Sequence, residues 1–192
     1  ILSYPSGDWN DAGYCAGSPD FPGILERSNI GPVLPGSENW LGDSSLPGVN
    51  GTVYSSIVTQ DGDLIIGGSF DTVGAVSQHN IARWDGESWH SLGPGLSGTV
   101  YALADDEGTI YAASASASGS SSTVSLLQNG TWTPAGESSN GYVSALAVDQ
   151  QGYLYAGGTF TRIGNVDAQH AARWNGTRWQ ALAQGVDGPV YA

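Results

Sequence analysis

Lysine is absent from this chain of 192 residues, and so is methionine. Five arginines stand against 18 acidic side chains, for a formal net charge of −13. A nucleic-acid-binding domain needs a basic footprint to neutralise phosphates, so that class is excluded. The acidic surface instead favours solubility and attracts cations. No run of 18 apolar residues occurs, so no membrane-spanning helix is expected. A single cysteine, Cys15, leaves no internal disulfide. It is a buried free thiol, a cross-chain link, or half of a pair whose partner lies outside this segment. The chain starts at Ile1 and contains no Met, so a processed form or an excerpt of a longer protein is expected, with any signal peptide already gone. Helix-forming stretches are scarce, whereas glycine is abundant at 29 residues. Short strands between turn residues therefore predict an all-β domain with enough apolar residues for a sizeable core.

The stretch from Gly141 to Val186 sets the pattern. It holds four short apolar runs, Val143–Val148, Tyr153–Ala156, Ala171–Trp174 and Trp179–Leu182, separated by Gly- and Asn-containing turns. Four short strands in sequence read as an antiparallel meander. One such sheet has two edges and two apolar faces, and it is not stable alone. The chain supplies copies. Shifted back by 90 residues, the unit reappears at Gly51 to Leu96, with Gly67-Gly68 on Gly157-Gly158, Phe70 on Phe160, Arg83-Trp84 on Arg173-Trp174 and Trp89 on Trp179. Gly98 to Glu137 is a third copy. First strands start at Val53, Val100, Val143 and Val190, at spacings of 47, 43 and 47.

Such a period, with about four strands per unit, signifies a propeller or related array. The expectation is a β-propeller of about four blades, each a four-stranded antiparallel sheet, on a ~45-residue repeat. Residues 51–97, 98–140 and 141–187 are three blades. Residues 1–50 form a degenerate partial blade without a first strand, and 188–192 form a first strand without a blade. The first blade is thus split between the two termini. The candidate residues for closure or for assembly with another chain are Pro189, Val190, Tyr191 and Ala192, with Cys15 as a further candidate link. The Gly-Gly pairs mark close backbone approach. Trp84, Trp89, Trp174 and Trp179 are large enough to fill the space between sheets, with sugar stacking as the functional alternative. Asp85-Gly86, Asn129-Gly130 and Asn175-Gly176 are hairpin turns.

Little of this carries chemistry. The Asp-rich turns at Asp61-Gly62-Asp63, Asp105-Asp106-Glu107-Gly108 and Asp149 lack the full set of oxygens that a Ca²⁺ loop requires. Solvated hairpins are expected, with Ca²⁺ as the alternative and no other cofactor. His79 and His170 precede Arg83-Trp84 and Arg173-Trp174 and look structural, while His90 is isolated. No histidine is spaced with other ligands as a zinc site requires. The two arginines are expected to hydrogen-bond backbone or carboxylates. No nucleophile elbow, phosphate loop or dinucleotide fingerprint occurs. A glycosidase needs two carboxylates across a cleft, and nothing singles out a pair. No catalytic, cofactor-binding or metal-binding residue is therefore assigned. Asn50, Asn129 and Asn175 each open an Asn-Gly-Thr sequon and are candidate glycosylation sites in an extracellular or cell-surface protein. The Ser/Ala-rich run from Ala112 to Thr123 reads as a strand and loop, or as an O-glycosylated patch.

Gly67-Gly68, Phe70, Ile81–Trp84, Trp89, Leu92 and Gly93, with their counterparts in the last copy, resemble a repeat of large secreted bacterial surface proteins and of the fungal cortical-marker proteins. More distantly they resemble kelch repeats. The resemblance covers 51–192 well and 1–50 poorly, and the middle copy departs from it by losing Gly-Gly and Phe. It implies a β-propeller, a secreted or surface setting, and no catalytic residues. The expected function is a non-enzymatic structural or adhesive module, self-assembling by strand pairing between chain ends or binding other surface proteins. A lectin-like carbohydrate-binding propeller is the alternative, and a glycoside hydrolase is third.

Overall fold

The computed structural model describes residues 48–192 except 75, 117 and 118. The expectations placed on residues 1–47, including the degenerate copy and Cys15, lie outside the described residues. Among these there is no helix, and three four-stranded antiparallel sheets carry the chain. The first contains β1 (Thr52–Val58), β2 (Leu64–Ser69), β5 (Ile81–Trp84) and β6 (Trp89–Ser91), paired in that order. The loop between β2 and β5 carries a small hairpin, β3 (Thr72–Val73) and β4 (Val76–Ser77). The second sheet is a plain meander of β7 (Val100–Asp106), β8 (Thr109–Ala115), β9 (Ser122–Gln128) and β10 (Thr131–Pro134). The third repeats the first with β11 (Val143–Val148), β12 (Leu154–Gly158), β15 (Ala171–Trp174) and β16 (Trp179–Ala181). Its small hairpin is β13 (Arg162–Ile163) and β14 (Val166–Asp167). The three sheets do not close a ring among the described residues.

The cores lie between sheets. Ile65 and Ile81 of the first sheet, with Leu92 and Leu96 from the segment that follows it, pack on Val100, Leu103, Ile110 and Ala112 of the second. The other face of the second sheet, with Ala102, Ala113 and Val124, packs on Val143, Leu154, Phe160 and Trp174. Two joints repeat at these interfaces. In the first, an indole N–H on the last strand of one copy donates to a backbone carbonyl of the copy before. Trp132 Nε1 donates to Leu92 O at 3.0 Å, and Trp179 Nε1 donates to Ala135 O at 2.7 Å. An indole offers one donor, which must find a partner when the ring is buried. Trp174 and Trp179 are buried inter-sheet filling, so they present no ring for stacking on a sugar.

The second joint explains the glycines of β2 and β12. A Cβ on Gly67 would lie 2.5 Å from Val100 Cγ1, and one on Gly157 would lie 2.6 Å from Val190 Cγ1. The first valine of each copy thus occupies the room that a side chain on the preceding sheet would need. In the middle copy Ala113 takes the glycine's place, and Val143 is nevertheless fully buried. Val190 also donates its N–H to Gly158 O at 3.1 Å. Residues 188–192 therefore lie on their own chain's third sheet, without forming a strand.

Side-chain clamps fix the loops. Asn50 Oδ1 accepts the N–H groups of Asp71 and Thr72, and Asn140 Oδ1 accepts those of Thr161 and Arg162. Each asparagine thereby ties the lead-in to a first strand to the start of the small-hairpin loop. The arginines on β5 and β15 differ in partner. Arg83 reaches Asp63 at 3.1 Å, whereas Arg173 donates to Gln180 and lies over the Tyr153 ring at 4.4 Å.

Candidate functional site

Every first strand has an irregularity at the same place. The register of β1 on β2 slips between Val53 and Ser55, that of β7 on β8 between Val100 and Ala102, and that of β11 on β12 between Val143 and Ala145. The residues left over are Tyr54, Tyr101 and Ser144. A bulge of this kind re-aims the extra side chain, and bulges are enriched beside functional sites. Here two of them carry tyrosines. The Tyr54 and Tyr101 rings lie 5.1 Å apart, and Tyr101 and Tyr142 lie 5.5 Å apart edge to face. A row of three tyrosines therefore crosses the starts of the three first strands.

Beside this row is a cup of about 360 Å³. Ser69 at the end of β2, Asn80 before β5, and Ser97 and Thr99 before β7 form one wall, and Tyr101 and Tyr142 contribute their phenols. Asn80 holds the wall in place. Its φ is 64°, its Oδ1 accepts Phe70 N–H at 3.2 Å, and its Nδ2 donates to Leu96 O at 2.8 Å. Tyr142 donates its hydroxyl to Gly119 O. Burial raises the pKa of Tyr101 above the ordinary phenol value, and the neighbouring Tyr142 and Tyr54 push it the same way. Tyr101 is therefore a neutral hydroxyl at physiological pH. Among the described residues no carboxylate, arginine or histidine lines the cup.

His79 adjoins the cup residue Asn80 in sequence, and Asp71 stands two residues after Ser69. His79 Nδ1 lies 3.3 Å from Asp71 Oδ1, and both side chains are exposed. His79 and His170 are offset by one residue between the copies: His170 matches Asn80, and both have left-handed backbone, with φ of 71° and 64°. His170 Nδ1 is buried without a hydrogen-bond partner.

The acidic turns behave as hairpin caps. Asp85 accepts N–H groups from Ser88 and Glu87 and lies 2.5 Å from His90 Nε2. Those two backbone donors, followed by the histidine, hold its carboxyl well below the ordinary range. Asp149 accepts from Gln151, Tyr153 and the Tyr155 hydroxyl. Among the described residues no group of three or more His, Cys, Asp or Glu side chains is placed to hold a metal ion. The three sequons differ. Asn50 is the loop clamp already described, Asn175 caps its own turn through Thr177 and Arg178 N–H, and Asn129 is exposed in the β9–β10 turn. Pro189 to Ala192 contribute nothing to the cup, and Tyr191 is exposed.

No known protein family matches the chain, and no curated protein does. Among solved structures it is similar to a gluconolactonase from Xanthomonas campestris, with a TM-score of 0.46 and 14% identity over 74% of this chain. The likeness spans half of that protein's length. The expectation from the sequence was a non-enzymatic structural or adhesive module, with a lectin-like propeller as its alternative, whereas that solved structure is an enzyme. Val190 is seated on Gly157 and Gly158 of its own chain, the same inter-copy joint that Val100 makes with Gly67.

Proposed function

We propose that the three sheets are successive blades of a β-propeller, and that the cup at their inner strands binds a small, neutral, polyhydroxylated substrate for hydrolysis. The propeller reading is supported by four-stranded sheets at near-constant spacing, by the repeated inter-sheet joints and by the kelch-like residue pattern. The binding reading is carried by one observation, the cup's lining. Its hydroxyls and two tyrosines, with no charged side chain among the described residues, match a ligand rich in hydroxyls and bearing no charge. Sugars and sugar lactones are such ligands. The hydrolytic reading rests on His79, which adjoins the lining residue Asn80 in sequence and whose exposed imidazole lies 3.3 Å from Asp71 Oδ1, an imidazole–carboxylate pair of the kind general-base hydrolysis uses.

The test separates binding from chemistry. A panel of neutral glycosides and sugar lactones is screened by calorimetry and then for turnover. Tyr101→Ala is expected to weaken binding about tenfold, from the loss of one ring face and one hydroxyl. Tyr101→Phe is expected to lose less. His79→Gln keeps the amide's hydrogen bonding but not the base, so turnover should vanish while binding stays. Absence of binding across the panel, or turnover that survives His79→Gln, overturns the proposal.

A further inference from the structure

The chain has four Asn-Gly steps, at Asn50, Asn129, Asn140 and Asn175. Each is chemically primed. Glycine has no side chain to shield its backbone nitrogen, which can attack the asparagine Cγ. The reaction requires the carboxamide to swing toward that nitrogen. Three of the four carboxamides are held. Asn50 Oδ1 accepts Asp71 N–H at 2.9 Å and Thr72 N–H at 3.0 Å. Asn140 Oδ1 accepts Thr161 and Arg162 N–H, both at 2.9 Å, and its Nδ2 donates to Thr161 Oγ1 at 3.0 Å. Asn175 Oδ1 accepts Thr177 N–H at 3.0 Å and Arg178 N–H at 2.9 Å.

Asn129 is different. It is exposed, and among the described residues no pair of backbone donors holds its carboxamide. It stands in a two-residue turn between paired Gln128 and Thr131, with φ of 50° at Asn129 and 74° at Gly130. Asparagine is among the few non-glycine residues that adopt this left-handed backbone. A side chain built on Gly130 would meet nothing within 4 Å, so there is open space around the step.

We propose that Asn129 is the deamidation site of this protein, and that the fold protects the other three steps. The Gly130 nitrogen, having given up its proton to solvent base, bonds to Asn129 Cγ. The Cγ–Nδ2 bond breaks and ammonia leaves. Water then opens the succinimide at either carbonyl, to aspartate or to isoaspartate, with no change of oxidation state. Both products add a negative charge to a chain already at −13. Both erase the Asn-Gly-Thr acceptor, so glycosylation and deamidation compete for one residue. Isoaspartate also lengthens the backbone of a turn that has no slack. That turn carries β10, whose Trp132 is joined to Leu92, and a Cβ on Gly93 would lie 2.8 Å from Gly130 O. The lesion therefore acts on the joint between the first two sheets.

The experiment uses the full chain, expressed without glycosylation and aged at mildly alkaline pH, with peptide mapping by mass and by isoaspartyl methyltransferase. The Asn129 peptide is expected to gain the amide-to-acid mass increment first. The other three should convert about thirtyfold more slowly, because two backbone hydrogen bonds must break before each carboxamide can turn. In urea all four should convert at comparable rates, and Asn129→Gln should remove the early product. Conversion of Asn140 or Asn175 at the pace of Asn129 in the folded protein overturns the proposal. So does an Asn129 peptide that stays intact when folded but converts in urea.

Discussion

Gly67→Ala is a one-methyl test of how the sheets meet. The added carbon would lie 2.5 Å from Val100 Cγ1, 3.1 Å from Val100 Cβ and 3.3 Å from Leu103 Cδ1. Carbon atoms rest at about 3.5–4 Å, so about 1 Å must be found. Val100 cannot give it readily. It is β-branched, restricted at χ1, and wholly buried, with Leu103 buried beside it. The first two sheets must part or Val100 must leave its rotamer, and overpacking of this kind costs about 1–3 kcal/mol. Gly→Ala returns up to about 1 kcal/mol by restricting the unfolded chain. A net loss of about 1–2 kcal/mol is expected, read as a lower urea midpoint at unchanged slope, with tryptophan fluorescence as the probe. Gly157→Ala makes nearly the same local contact, 2.6 Å from Val190 Cγ1. There the obstacle belongs to a half-buried residue in no strand, which can move, and the shift should stay within about 0.5 kcal/mol. In the double variant Gly67→Ala/Val100→Ala the two changes relieve each other, with a coupling of about 1 kcal/mol. Equal losses at Gly67 and Gly157, or strict additivity with Val100→Ala, would refute the reasoning.

Trp179→Phe strands the Ala135 carbonyl in a buried interface and is expected to cost about 1–3 kcal/mol, measured by thermal unfolding. Trp132→Phe removes the equivalent bond from a half-buried ring and should cost less. A loss at Trp132 as large as that at Trp179 would count against burial as the deciding factor. Burial raises the pKa of Asp149, but the Tyr153 N–H, the Tyr155 hydroxyl, the Gln151 N–H and the Arg173 charge together bring it below the ordinary 3.8. A carboxylate depressed in the folded state stabilises fully above its unfolded pKa, and the contribution is lost as pH falls through the folded value. The melting temperature should thus fall below about pH 3.8, and Asp149→Asn should flatten that limb of the profile, whereas an unchanged acid limb would exclude this carboxylate as its source.

The repeat was legible because its signals are local and recur together. Val143–Val148 and Ala171–Trp174 are strands at the bounds read from the sequence, and the Asn129-Gly130 turn joins the strands that it was expected to join. The small hairpins were not legible. Strands of two residues, such as Thr72–Val73 and Arg162–Ile163, are too short to show alternation. The bulges at Tyr54 and Tyr101 were hidden too, since a bulge exists only relative to its partner strand. Asn50 shows how one pattern can mask another. As part of a sequon it read as a surface acceptor, while its match to Asn140 at a distance of 90 residues marked the loop clamp. The cup has no motif at all. Its walls come from three copies, and serine and threonine near glycine look like any loop.

The indole joint has a direction. Trp132 and Trp179 bring the donor and the bulky ring, while Leu92 and Ala135, earlier in the chain, bring the acceptor carbonyl. During synthesis the acceptor side is therefore complete before its partner exists, and each later copy arrives carrying what the interface still needs. In a copy waiting for its successor the acceptor oxygen is satisfied by water, and the indole that replaces that water arrives with the later copy. A series built this way can grow by duplication of whole units at its later end, because a new unit finds a finished platform and leaves another behind. It tolerates reversal of a unit poorly, since two donors or two acceptors would then face one another across the seam.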